Sequence, residues 1–286
     1  MKQIVLRQLP ALIAAALAAA LLAGCASAPP RDGAPSAAAA APQAGAATRQ
    51  LLAPTGTLRI GVYPGSPTSL VEQDGDQRGL TVELGRELGR RLGVPVELLR
   101  FQRVAEVVDA VHRGQADLTI TNATAARAAL VDFSPTVVRL GLGLLVLPTS
   151  PVQTLAAMDR PGVRIGVSEG SSSQATLGRQ LEQAQLRAAP SLQAAAEMLR
   201  SGAIDAFATN KAILHEMADG LPGARVLDES WGQETLSMAI PKGRASALPW
   251  LGEFVQWASA AGLVERAAQR AGLRGTLPAE PAAERP

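Results

Sequence analysis

The chain has 286 residues, 47% apolar, 3% aromatic and 18% charged, with 27 Gly, 20 Pro and one Cys. That length and apolar content give one large domain or two small ones and exclude wholesale disorder, while a single Cys excludes a disulfide framework and a multi-Cys metal site. With Lys2 and Arg7, the only charges of the first 24 residues, set aside, 25 of the 27 basic side chains remain against 25 acidic ones. This balance, with only 3 Trp, 1 Tyr and 4 Phe, argues against nucleic-acid binding, because it supplies neither a phosphate-tracking groove nor a base-stacking platform.

Residues 1–24 have the layout of an export signal: Lys2 and Arg7, an apolar stretch over 9–22, then small residues. The stretch is short for a membrane-spanning helix. The run Leu22-Ala23-Gly24-Cys25 resembles a bacterial lipoprotein cleavage box, which makes Cys25 the expected lipidated N-terminus. Residues 25–54, rich in Ala, Pro and Gly, hold too little branched apolar surface to order themselves and are expected to be a flexible tether; the tail over 276–286 is expected to be disordered.

From Leu58 onward, short apolar runs alternate with helical patterns, as in parallel βαβ units. A strand is predicted over 58–62. Leu80, Leu84, Leu88 and Leu92 then recur every fourth residue along a helix, a strand follows at 96–99, and Val104, Val107, Val108 and Val111 form the next helical stripe, ended by Gly114 before a strand over 117–121.

The same unit then returns. Arg59-Ile60-Gly61-Val62-Tyr63-Pro64-Gly65-Ser66 matches Arg164-Ile165-Gly166-Val167-Ser168-Glu169-Gly170-Ser171 at six of eight positions. Residues 104–122 lie over 192–210 without a gap, pairing Gly114 with Gly202, Asp117 with Asp205, Thr121 with Thr209 and Asn122 with Asn210. Turn grammar alone also places Gly and Asp at such positions, but two copies of one unit predict two lobes. The apolar run over 140–147 is expected to carry the chain across and 235–240 to return it, with helices over 248–260 and 263–271 completing the first lobe. The expected division is 55–147 and 240–275 for lobe 1 and 148–239 for lobe 2.

These residues resemble the family 3 extracellular solute-binding proteins of bacterial ABC importers, the class that includes amino-acid receptors. The resemblance covers about 58–275. It rests on Leu58-Arg59-Ile60-Gly61-Val62, on 79–94 as the first helix, on Thr124-Ala125-Ala126-Arg127 leading to Val131-Asp132-Phe133-Ser134, and on Gly202-Ala203-Ile204-Asp205-Ala206. It implies a two-lobed α/β periplasmic-binding-protein fold, each lobe a mostly parallel sheet flanked by helices, with the ligand cleft between the lobes. It also implies a monomer without cofactor that takes a small anionic or zwitterionic solute in the periplasm or cell envelope, held to a membrane through Cys25, and passes it to the membrane permease of an ABC transporter.

Ligands of open parallel sheets bind beyond the carboxyl ends of the strands. Here those ends are 63–66, 121–127, 168–173 and 209–211. Arg127 occupies the Thr-x-x-Arg position at which such receptors clamp a substrate carboxylate, and a guanidinium fork suits that anion. Gly170, Ser171 and Ser172 open a helix in the opposite lobe, where free amides favour the same group; a plain helix cap is the alternative. Tyr63, Ser66, Asn122 and Thr124 are carried over as ligand-binding positions. Asn210 departs from the amino-acid pattern, which places an aspartate there for the α-ammonium; asparagine offers an uncharged carbonyl oxygen, so a carboxylate without an amine becomes plausible.

No metal or nucleophile motif, phosphate loop or nucleotide fingerprint occurs, so the chain is expected not to be an enzyme. Two alternatives stay open. One is a dehydratase of cyclohexadienyl or arogenate type on the same fold, which needs a carboxyl group in the cleft as general acid, with Glu169 and Glu234 as candidates. The other is a ligand-sensing periplasmic lipoprotein using the same cleft.

Overall fold

In the computed structural model, residues 41–277 are described. The export signal, Cys25, the first part of the tether and residues 278–286 lie outside the described residues. The chain opens with α1 (Ala46–Leu52) and β1 (Leu58–Val62), followed by the small hairpin β2 (Val71–Gln73) and β3 (Asp76–Arg78). The fourfold leucine spacing becomes α2 (Leu80–Leu92), with Leu80, Leu84, Leu88 and Leu92 all fully buried on one face. Then come β4 (Val96–Arg100), α3 (Val104–His112), β5 (Thr119–Asn122) and the single turn α4 (Ala125–Ala128). Strand β1 pairs in parallel with β4 and bridges to Leu118 on its other side.

A 16-residue strand, β6 (Val131–Val146), leads out of this first lobe. The second lobe holds β7 (Arg164–Ser168), α5 (Ser172–Gln180), β8 (Gln185–Ala189), α6 (Leu192–Arg200), β9 (Ala206–Asn210), α7 (Lys211–Asp219) and the short β10 (Arg225–Val226). Strand β11 (Gly232–Pro241) returns, and α8 (Leu248–Ala260), α9 (Leu263–Arg270) and β12 (Thr276–Leu277) complete the described chain. The expected two-lobed α/β architecture is therefore present, with β7 parallel to both β8 and β9. The crossing strands are antiparallel: β6 pairs with β11 along its first part and with β9 from Leu142 to Val146. Leu142 lies opposite both Gly232 and Asn210, so one residue marks where the two lobes share a sheet.

The internal repeat is structural as well as textual. In the first copy Asp117 accepts from the Arg59 backbone N–H at 3.0 Å and from its Nε at 2.9 Å; in the second Asp205 accepts from the Arg164 N–H at 2.7 Å and from its Nε at 3.1 Å. Helices α3 and α6 each span nine residues, and Gly114 and Gly202 after them share a left-handed backbone, φ 68° and 67°, which a glycine adopts without a Cβ clash. Turn grammar alone does not reproduce a carboxylate with the same donors in both copies.

Two expectations need correction. The tether does not run to residue 54, because 46–52 are helical: Leu52 is fully buried in the first-lobe core, and Arg49 Nε donates to the Leu92 carbonyl at 2.7 Å, closing the end of α2. Composition misses this because one leucine and one arginine supply the anchorage. The tail does not begin free at 276, because Thr276 and Leu277 pair with Leu140 and Arg139 on an open edge of β6. Helices α8 and α9 do pack onto the first-lobe core, through Leu251, Phe254 and Ala267.

Candidate functional site

The carboxyl ends of β1, β4, β5, β7 and β9 converge on one cavity between the lobes. Tyr63 leaves β1 with its backbone N–H bound to Ser69 Oγ at 2.9 Å, and its ring packs among apolar residues that include Leu192 of the other lobe. Burial pushes the Tyr63 hydroxyl up, so it stays protonated. Thr121 and Asn122 end β5. Arg127 follows on α4, whose start is fixed by Thr124 accepting from the Arg127 N–H at 3.3 Å.

Arg127 is buried, with 9% of its surface exposed. Its Nη1 donates to Thr121 Oγ1 at 2.6 Å and to the Asn122 carbonyl at 3.4 Å. A guanidinium has five N–H donors, so some remain for a guest. Burial holds the Arg127 pKa below its ordinary value, opposed by the charge of Glu234.

From the second lobe, Ser171 caps α5, accepting from the Gln174 N–H at 3.1 Å, and Ser171, Ser172 and Ser173 line the cavity. Asn210 caps α7: its Oδ1 accepts from the Ile213 N–H at 3.0 Å. The carbonyl oxygen expected to receive a guest is thus engaged by α7, and the side-chain amide bonds the Glu234 carboxyl. Lys211 lies outside the cavity wall, its Nζ donating to the Asp228 carbonyl at 2.6 Å.

Six predicted positions, Tyr63, Asn122, Arg127, Ser171, Ser172 and Asn210, line this one cavity. Three do not. Ser66 is fully buried beneath the turn, 2.8 Å from Thr68 Oγ1, and Thr68 forms the wall instead. Thr124 serves as the cap just described. Gly170 sits where the lobes touch: a Cβ built on it would lie 2.5 Å from the Ala105 Cβ, and its φ of 69° favours glycine.

Sequence reasoning missed Gln102 and Arg103, which also line the cavity. They follow the parallel strand β4, and the strand-end rule points to them as it did to Tyr63. Glu234, one of the two candidate acids, does stand on the cavity wall; it lies within strand β11 and is 6% exposed. Burial pushes its carboxyl up to about 7, while Arg127 and the Asn210 amide pull the other way. Among the described residues Glu234 is the single acidic side chain on the cavity wall. Glu169, the other candidate, is half exposed and lies 3.4 Å from Arg103. No group of three His, Cys, Asp or Glu able to hold a metal ion occurs among the described residues.

The lobes are closed in this structure. Asn122 Nδ2 donates to Ser172 Oγ across the cleft at 3.1 Å, and the space left for water between the lining residues is about 40 Å³, enough for a few molecules. An organic guest needs the lobes to part, as in hinge-closing binding proteins.

The family model for bacterial extracellular solute-binding proteins, family 3, matches residues 58–271. The chain belongs to that family. As a family 3 protein it is 22% identical over 176 residues to the ABC transporter glutamine-binding protein GlnH of Bacillus subtilis (strain 168), a match over 60% of this chain and 64% of that relative, so it spans less than two thirds of the relative's length. Solved structures with the same fold include the ancestral amino acid-binding protein AncCDT-1, a precursor of cyclohexadienyl dehydratase (TM-score 0.68, 24% identity, 78% of this chain and 98% of that one). Another is AbpA of Streptococcus pneumoniae bound to L-arginine (TM-score 0.69, 20% identity, 79% and 99%). A third is a binding component of an ABC transporter from Wolinella succinogenes complexed with lysine (TM-score 0.67, 24% identity, 75% and 95%).

Proposed function

We propose that the chain is the substrate-binding lipoprotein of an ABC importer, anchored through Cys25 and closing residues 46–147 with 240–277 (lobe 1) and 148–239 (lobe 2) around a small polar carboxylate-bearing solute. The observation that carries the reading is Arg127: a buried guanidinium with spare donors on the wall of an interlobe cavity. An unmatched buried charge is costly, and a guest carboxylate that accepts two parallel hydrogen bonds offsets that cost. Asn210, with its oxygen turned to α7, directs its amide to the Glu234 carboxyl beside the guest. The proposal is tested by a thermal-shift screen of amino acids, keto acids and dicarboxylates, repeated with Arg127→Ala. Stabilisation that grows with ligand concentration and disappears in the variant supports it; a hit indifferent to the arginine overturns the assignment.

Glu234 favours a second reading on the same cavity. A carboxyl near neutrality can protonate a leaving group, as dehydration of a cyclic carboxylate requires. Turnover of prephenate or arogenate, followed by absorbance, decides between an enzyme and a binder that merely holds such compounds.

A further inference from the structure

We propose that Glu234 selects the charge of the guest: ionised, it fits the cleft to a zwitterion, and protonated, it fits the same cleft to a carboxylate lacking an amine. The inference rests on Arg127 as the carboxylate clamp of the proposed function. It begins from charge matching inside a closed cavity, where the low dielectric makes each uncompensated charge costly.

The cavity wall holds Arg127, Arg103 and Glu234 as its charged residues. Arg103 is already matched by Glu106 at 3.2 Å and Glu169 at 3.4 Å. Arg127 and Glu234 are left facing the guest. With Glu234 ionised the pair is neutral and suits a guest of no net charge bearing both signs; with Glu234 protonated the wall is positive and suits an anion.

No second carboxylate on the wall competes for an ammonium, and the neutral acceptors there are hydroxyls and two partly engaged amide oxygens. Asn210 Oδ1 is bound to Ile213, and Asn122 Oδ1 accepts from the Thr235 N–H at 3.2 Å. The groups around Glu234 come from every element packed on β11. Arg127 from α4 and Tyr63 beyond β1 are the ionisable ones coupled to it, and Asn210 at the end of β9 is neutral. On β6 the residue opposite Glu234 is Leu140, and Arg139 next to it donates to Gln233 on the exposed side. Strand β5 carries no charged side chain. On α3, Glu106 is held by Arg103 and Asp109 by Arg113 at 3.0 Å, while exposed His112 Nδ1 meets the Leu130 carbonyl at 2.9 Å.

Linkage fixes the signs. An anionic guest raises the proton affinity of Glu234, so its binding takes up a proton and its affinity falls as pH rises above about 7. A zwitterion does the reverse: its ammonium favours the carboxylate, so affinity falls as pH drops below about 7. In the limit of one fully coupled proton, the preference for amine over no amine changes on the order of 100-fold between pH 6 and 8.

The test uses the full chain and four pairs that differ by amine for hydroxyl: L-alanine with L-lactate, L-aspartate with L-malate, L-glutamate with L-2-hydroxyglutarate, and L-phenylalanine with L-phenyllactate. Titration calorimetry at pH 6, 7 and 8, in PIPES and in imidazole, which buffer across this range with different ionisation enthalpies, counts the protons exchanged. Expected are opposite pH slopes within a binding pair, proton uptake with the hydroxy acid and release with the amino acid, and flat profiles with a preference for the hydroxy acid in Glu234→Gln. Equal slopes, no proton exchange in the native protein, or a slope that persists in the variant overturns the inference while the carboxylate site stands. The proton count needs no variant, so misfolding of Glu234→Gln does not protect the idea. If no pair binds at any pH, the carboxylate reading of the cleft falls and this inference with it.

Discussion

Arg103 Nη1 lies 3.4 Å from Glu169 Oε2, joining the residue that precedes α3 in one lobe to the residue that follows β7 in the other. The carboxylate side chain is half exposed, so screening limits the contact to the range of surface pairs, about 0–1 kcal/mol. Glu169→Gln is therefore expected to weaken guest binding by less than about fivefold at low salt, an effect that vanishes at high salt. Calorimetric titration at two ionic strengths checks both parts.

Arg127 acts where screening is weak. Charge-assisted hydrogen bonds contribute roughly 1.5–3 kcal/mol, so Arg127→Ala is expected to cost between about ten- and a hundredfold in affinity for a carboxylate guest. Arg127→Lys restores little of it, since a point charge does not reproduce the guanidinium fork and leaves Thr121 without its 2.6 Å donor. The dissociation constants of the two variants check this.

Much of this was legible in the sequence, for reasons that differ by residue. The leucines of α2 and the paired segments around Asp117 and Asp205 showed the lobes, because repeated burial demands repeated spacing. Arg127 and the Ser171 cap were found because strand ends and helix starts follow local rules. Glu234 was a candidate for the cleft, but its burial was hidden, since a glutamate in Gly232–Pro241 carries no local mark of it; the crossing of β11 between two lobes is what buries it on the cavity wall. The roles of Asn122 and Asn210 were hidden likewise, because their oxygens are engaged by Thr235 and Ile213 and that depends on the fold.

The contact between Gly170 and Ala105 makes closure sensitive to a single methyl group. Gly170→Ala places a Cβ 2.5 Å from the Ala105 Cβ and imposes a left-handed backbone on alanine, which alone costs about 1–2 kcal/mol. Parting the lobes relieves the clash but not the backbone strain. The variant is expected to bind its guest about tenfold more weakly or worse, and to show a larger radius in small-angle scattering with saturating guest than the native protein does.

Asp117 and Asp205 provide a comparison inside one molecule. Both hold the arginine that opens the repeat, but Asp117 is fully buried and also accepts from Arg244 Nη1 at 2.8 Å, whereas the Asp205 side chain is 10% exposed. Removing one partner of a buried ion pair costs about 3–5 kcal/mol. Asp117→Ala is expected to fall in that range and to exceed Asp205→Ala, as read from urea midpoints at constant slope.

Glu234 also predicts how stability depends on pH in the absence of guest. Its carboxyl is raised from 4.5 to about 7 in the folded protein, so the native state holds a proton that the unfolded chain releases. That contribution is fully present below about 4.5 and is lost as pH rises through about 7; at roughly 1.4 kcal/mol for each pH unit the loss amounts to about 3 kcal/mol. Glu234→Gln carries no such proton and keeps its stability across the window. Denaturant titrations of both proteins at pH 5 and 8 are expected to show the native protein losing ground to the variant at the higher pH. Parallel behaviour of the two proteins means that Glu234 ionises freely in the folded state, and a group already ionised at pH 5 cannot switch the charge of the cleft near neutrality.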